Sequence, residues 1–133
     1  MNSYNSYMKK LILLIDDSAI DNFINRTVIK HANYAECIAE FQSATDGVKY
    51  LCDKANDPLQ IPDMIFLDIK MPLLDGFGFL NEFSKLPDNI RSKVKIIMLS
   101  SSINDDDIEK ANNNPLVFKF LSKPLTVEKL QAI

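Results

Sequence analysis

Five apolar runs divide the chain, and most of them end in polar or turn-forming residues. Leu11-Ile12-Leu13-Leu14-Ile15 runs into Asp16-Asp17, Met64-Ile65-Phe66-Leu67 into Asp68, and Val94 to Leu99 into Ser100-Ser101-Ser102. Leu116 to Leu121 leads to Lys123-Pro124, and a weaker run, Cys37 to Phe41, has the character of an edge strand. Uninterrupted apolar runs fit parallel strands covered on both faces. The segments between them are helical. Ser18-Ala19-Ile20-Asp21 and Ser43-Ala44-Thr45-Asp46 each carry the serine-then-acid spacing of a capped helix start. Ile20, Phe23, Ile24 and Val28 predict one apolar face on the first helix, and Val48, Leu51, Cys52 and Ala55 a stripe on the second. A third helix opens at Asp75-Gly76, with Asp75 as its cap, carries Phe79, Leu80 and Phe83, and closes at Pro87-Asp88. Asn104 to Asn112 reads as a short fourth, its Asp105, Asp106 and Asp107 near the positive end of the dipole. A fifth begins at Thr126 and stops after about two turns.

Strands alternating with helices give an α/β fold: a doubly wound, three-layer parallel sheet of five strands with five helices on its two faces. The 133 residues fit one domain, and 47% apolar content supports a good core. Residues 1–8 are expected to be a frayed N-terminal segment and 9–133 the folded domain. A formal net charge of −3 argues against direct nucleic acid binding by this chain. Cys37 and Cys52 lie in apolar surroundings without metal or redox spacing and are expected to be reduced and buried, which fits a cytoplasmic protein. The polar first seven residues lead to the expectation of no signal peptide, and no apolar stretch in the sequence is long enough to span a membrane. The single histidine, His31, reads as a helix-surface or partly buried residue rather than a phosphodonor.

Parallel strands bring all their C-terminal ends to one edge, where open α/β sheets bind ligands. Asp16, Asp17, Asp68, Ser100 and Lys123 therefore converge. Three carboxylates at one place repel one another unless a hard divalent cation joins them. A carboxylate can also attack phosphorus and form an aspartyl phosphate. A metal, a lysine and a hydroxyl are the parts phosphoryl transfer needs.

These residues resemble the receiver domain of bacterial two-component response regulators, of the chemotaxis-regulator-like single-domain kind, from about Lys9 to Ile133. The resemblance rests on Leu-Leu-Ile-Asp16-Asp17, on Phe-Leu-Asp68-Ile-Lys-Met-Pro-Leu-Leu-Asp75-Gly76, on Ile-Met-Leu-Ser100-Ser and on Ser-Lys123-Pro124. Each piece is weak alone; in order, each at a strand end, they are specific. The resemblance implies the flavodoxin-like strand order 2-1-3-4-5. It implies that Asp68 accepts a phosphoryl group from a phosphohistidine on a sensor histidine kinase or histidine phosphotransfer protein. It implies that Mg²⁺ or Mn²⁺ binds Asp17, Asp68 and the backbone carbonyl of Lys70 directly and Asp16 through water. Ser100 and Lys123 would receive the phosphoryl oxygens, the bond before Pro124 would be cis, and Ser100 and Phe120 would be the switch residues. The output face would run over residues 104–133 to an unknown partner, with no effector domain in this chain.

Phe120 departs from the family's tyrosine at the switch position, and Lys70 and Ser102 occupy the two positions that tune phosphate lifetime. The fourth helix is short for the family, and the last one leaves open a stand-alone receiver or one cut from a longer regulator or hybrid kinase. Three other readings fit less well. A haloacid-dehalogenase-type phosphatase would want a second acid where Lys70 stands. A pseudo-receiver would lack one of the acids or the lysine. A flavin-binding protein of this fold would need a phosphate loop where Asp16-Asp17-Ser18 carries negative charge. The chain is thus expected to act as a self-catalysed phosphoacceptor, not as a turnover enzyme.

Overall fold

The structure is a computed structural model that describes residues 8–101 and 104–133. The expected frayed segment, apart from Met8, and Ser102 lie outside the described residues. Strands β1 (Lys9–Ile15), β2 (Ala35–Phe41), β3 (Met64–Asp68), β4 (Lys95–Ser100) and β5 (Val117–Ser122) form one parallel sheet in the order β2-β1-β3-β4-β5. The helices are α1 (Ala19–His31), α2 (Ala44–Asp53), α3 (Gly76–Phe83), α4 (Asp88–Arg91), α5 (Asp105–Asn112) and α6 (Val127–Gln131).

Among the described residues six helices stand where the sequence predicts five. The addition, α4, is a single turn in the stretch read as the close of α3. Its Ile90 is buried in the core, Asp88 pairs with Arg91 across the turn, and the Arg91 Nε donates to the Leu86 carbonyl at 2.6 Å. A short 3₁₀ turn, Pro58–Gln60, precedes β3.

Side-chain alternation along the strands sorts the core into two layers. Leu13, Ile15, Ile65, Leu67, Ile96 and Met98 face one side and pack with Leu51 of α2, Phe79 and Phe83 of α3 and Ala111 of α5. Ile12, Leu14, Phe66, Ile97 and Leu99 face the other side and pack with Ile29 of α1 and Leu130 of α6. The central strand β3 is buried from end to end, so Asp68 at its tip is fixed by packing on both faces.

Two further expectations fail. On α1 the buried residues are Asn22, Asn25 and Ile29, while Ile20 is 72% and Phe23 67% exposed. Of the predicted apolar face, only Val28 packs against the core. The reason lies in the loops: the Asn22 side-chain amide donates to the carbonyls of Asp16 (3.0 Å) and Phe41 (3.4 Å), satisfying backbone at the ends of β1 and β2. Polar capacity decides which face turns inward. Cys37 and Cys52 are free but exposed, so their predicted burial is wrong. Cys37 lies in the more exposed first half of the edge strand β2, and Cys52 falls outside the stripe on which Leu51 is buried.

Candidate functional site

Each acid of the site is held by local structure. Asp16 is the first residue beyond β1, and its Oδ1 accepts from the Ser18 N–H at 2.9 Å. Ser18 caps α1 by accepting from the Asp21 N–H at 3.2 Å. After Asp68 the chain turns sharply. The Gly76 N–H donates to the Ile69 carbonyl at 2.8 Å, and the Asp75 carboxylate caps α3 by accepting from the Gly78 N–H at 2.8 Å. A Cβ at Gly76 would stand 2.6 Å from the Asp68 carbonyl oxygen and 2.9 Å from the Ile69 Cα. Both obstacles are backbone, so glycine is what lets α3 start this close to the acid. Within the turn Leu73 adopts φ 68°, the left-handed region that a branched side chain disfavours, and its side chain is fully exposed.

Lys123 is placed by backbone and by α6. Its N–H donates to the Ser100 carbonyl at 2.9 Å, and the Lys123–Pro124 bond is cis. The Lys129 Nζ donates to the carbonyls of Ser122 (2.6 Å) and Pro124 (2.8 Å), clamping the residues on both sides. The Lys123 Nζ then lies 2.7 Å from Asp16 Oδ2, 2.8 Å from Asp21 Oδ2 and 3.3 Å from Asp68 Oδ1.

Asp16, Asp17 and Asp68 each offer a carboxylate oxygen, and these oxygens lie within 4.8 Å of one another. Asp16 and Asp68 are buried and Asp17 is exposed. Burial, and then the charge of Asp16, pushes the Asp68 carboxyl up to about 6 despite the pull of Lys123. Asp16 is raised as well, by burial first, although it accepts from Lys123 and Ser18. For Lys123, burial works against the charge, but the hydrogen bonds to Asp16 and Asp21 outweigh it and raise the pKa well above the usual lysine range. One ammonium thus leaves the acids under-neutralised. An all-oxygen, multiply charged donor set of this kind suits a hard divalent ion such as Mg²⁺.

The other residues singled out in the sequence fall around this centre. Ser100 ends β4, fully buried, one step beyond the Asp68–Leu99 register pair. The Lys70 side chain is exposed and turns outward to Asp107 of α5 at 3.7 Å. Phe120 is half-buried against the layer that holds α3 and α5. Asp21 was read from the sequence only as a capping acid, yet its carboxylate reaches Lys123. The signal that could have found it is its place one helical turn past Asp17, on the helix that begins at the acidic lip.

The geometry defines a class first: a flavodoxin-like α/β domain with a buried acid, a metal-type carboxylate cluster and a lysine at one sheet edge. The family follows from comparison. The model of the response regulator receiver domain matches residues 12–133, and the chain belongs to that family. A two-component response regulator from Cytophaga hutchinsonii superposes with a TM-score of 0.87 at 30% identity, covering 94% of this chain and 93% of that one. The probable methanogenesis regulatory protein FilR2 of Methanothrix harundinacea is 26% identical over 121 residues, 91% of this chain and 76% of its own length. The sensor histidine kinase CheAY of Helicobacter pylori is 29% identical over 131 residues, 98% of this chain but only 15% of the kinase. Receiver domains are signalling modules that accept phosphoryl groups from histidine kinases.

Proposed function

We propose that Asp68 is the phosphoacceptor of a phosphorylation switch spanning residues 9–133. The observation that carries this is the buried Asp68 carboxylate, set among the acids of a three-carboxylate cluster with Lys123 Nζ 3.3 Å away. An Asp68 oxygen attacks the phosphorus of a phosphohistidine. The P–N bond breaks, its electron pair returns to the imidazole nitrogen, and that nitrogen takes up a proton from solvent. Lys123 and Ser100 face the charge gathered on the phosphoryl oxygens. Asp16, Asp17, Asp68 and the Lys70 carbonyl would hold Mg²⁺ or Mn²⁺, which supplies charge neutralisation when bound. Water later attacks the phosphorus, returning the carboxylate of Asp68 and releasing inorganic phosphate, so the chain acts once per phosphoryl group and not as a turnover enzyme.

The phosphodonor is a sensor histidine kinase or histidine phosphotransfer protein, and the docking face we assign to it is α1. Ile20 and Phe23 project from the first two turns after Asp16-Asp17, so a protein seated on them lies over the site. Ser100 and Phe120 would relay the change to an output partner on the face formed by residues 104–133. Among the described residues no helix is long and apolar enough to cross a membrane; with free cysteines, this supports a cytoplasmic setting.

The test is incubation with Mg²⁺ and a small acyl phosphate, read by intact mass. One added phosphoryl group, labile to hydroxylamine and absent from Asp68→Asn, is expected. Labelling that persists in that variant would move the acceptor elsewhere, and many turnovers per chain would replace the switch with an enzyme.

A further inference from the structure

The capping arrangement at the start of α1 is incomplete in one specific way. Ser18 caps the helix, and an acid three residues later ordinarily reaches back to the cap's own N–H. Here that N–H donates to Asp16 Oδ1 instead. The Asp21 carboxylate, released from the helix, takes Lys123 Nζ at 2.8 Å. An ammonium has three donors. Two are committed at 2.7 Å and 2.8 Å to Asp16 and Asp21, and the longest contact, 3.3 Å, is the one to Asp68.

We infer that Asp21 is a positioning residue that tethers Lys123 away from Asp68 and competes with the phosphoryl group for the lysine. This rests on Asp68 being the phosphoacceptor. Asp16 is buried and accepts from two donors, so its hold on Lys123 is built into the turn. The Asp21 side chain is 34% exposed at the mouth of the site, which makes it the releasable partner. When phosphoryl oxygens arrive at Asp68, Lys123 has its third donor for them, but closing that 3.3 Å gap draws Nζ away from its two short contacts, and the one to Asp21 is the one solvent can replace. Asp21 therefore lowers the affinity of the site for a phosphoryl group and sets a threshold for activation. Direct repulsion between Asp21 and the phosphoryl group is screened by solvent, so the effect runs through the lysine.

The measurement is the affinity for beryllium fluoride, a tetrahedral phosphoryl mimic, at saturating Mg²⁺, by titration calorimetry on the full chain. Asp21→Asn is expected to bind the mimic about 5-fold more tightly, the scale of one partly exposed ion pair. Asp21→Glu, which keeps the charge, is expected to return to within about 2-fold of the parent. Asp53→Asn removes an equal charge from an exposed position at the end of α2 and is expected to change the affinity by less than about 1.5-fold. A folded Asp21→Asn protein with unchanged or weaker affinity overturns the tether, as does an equal gain in Asp53→Asn. Thermal unfolding of each variant confirms the fold. A merely structural Asp21 would lower the unfolding midpoint without tightening the mimic. If the parent chain itself fails to bind the mimic, the phosphoacceptor reading falls and the tether with it; binding by the parent with no response in Asp21→Asn removes the tether alone.

Discussion

At Asp68, burial and the charge of Asp16 act in one direction and only Lys123 opposes them. The sign of the resulting pH dependence follows. The folded carboxyl titrates near 6 against an ordinary value of 3.8, so between these values the folded state holds a proton that the unfolded state has lost. That contribution to stability is fully present below about 4 and is lost as pH rises through about 6. In a metal chelator, Asp68→Asn is therefore expected to be more stable than the parent at pH 7, by on the order of 2 kcal/mol. The gap should narrow as pH falls from 7 toward 4. Urea unfolding of both proteins across that range tests this, and a gap that ignores pH would show that something other than ionisation is involved. At this scale much of the site was legible, because Asp16, Asp17, Asp68, Ser100 and Lys123 each sit at the end of an apolar run. Asp21 was not, because its role depends on Asp16 taking the Ser18 N–H, a choice made in three dimensions.

Helix α1 is the element where periodicity misleads. Its Ile20, Phe23 and Ile24 are exposed, and Asn22, whose amide donates to the carbonyls of Asp16 and Phe41, is buried in their place. An apolar stripe says that a face wants cover, not which molecule covers it. The strand runs read correctly because a parallel strand is apolar on both faces and leaves no such choice. Helix α3 also read correctly, since Asp75 caps it and Phe79, Leu80 and Phe83 are all buried. The exposed side of α1 yields a prediction of its own. Phe23→Ser is expected to slow phosphoryl transfer from a phosphohistidine protein by about 10-fold, the cost of one aromatic anchor at an interface. Phosphorylation by a small acyl phosphate should be unaffected, because Phe23 is largely exposed and outside the acid cluster. Time courses with both donors separate the outcomes. Equal slowing with both donors would show damage to the site, and no slowing with the protein donor would place docking elsewhere.

Over the whole molecule, two packed layers hold a site that works against the fold. The strand order β2-β1-β3-β4-β5 came with the family resemblance, since apolar patterning names strands but not neighbours. That order puts β3 between β1 and β4, so Asp68 cannot retreat from Asp16 without unpacking Phe66 and Leu67 from opposite faces of the sheet. Stability is thereby coupled to whatever neutralises the acids. A divalent ion that binds only the folded chain adds about 2.7 kcal/mol at one hundred times its dissociation constant. Asp68→Asn loses a charged ligand and should keep little of that gain. The two proteins are therefore expected to exchange rank: the asparagine variant more stable in chelator, the parent more stable in saturating Mg²⁺. Thermal midpoints across a Mg²⁺ titration at pH 7 measure this directly. If the variant gains as much as the parent, Asp68 is not a metal ligand, and the acid cluster binds through Asp16 and Asp17 alone.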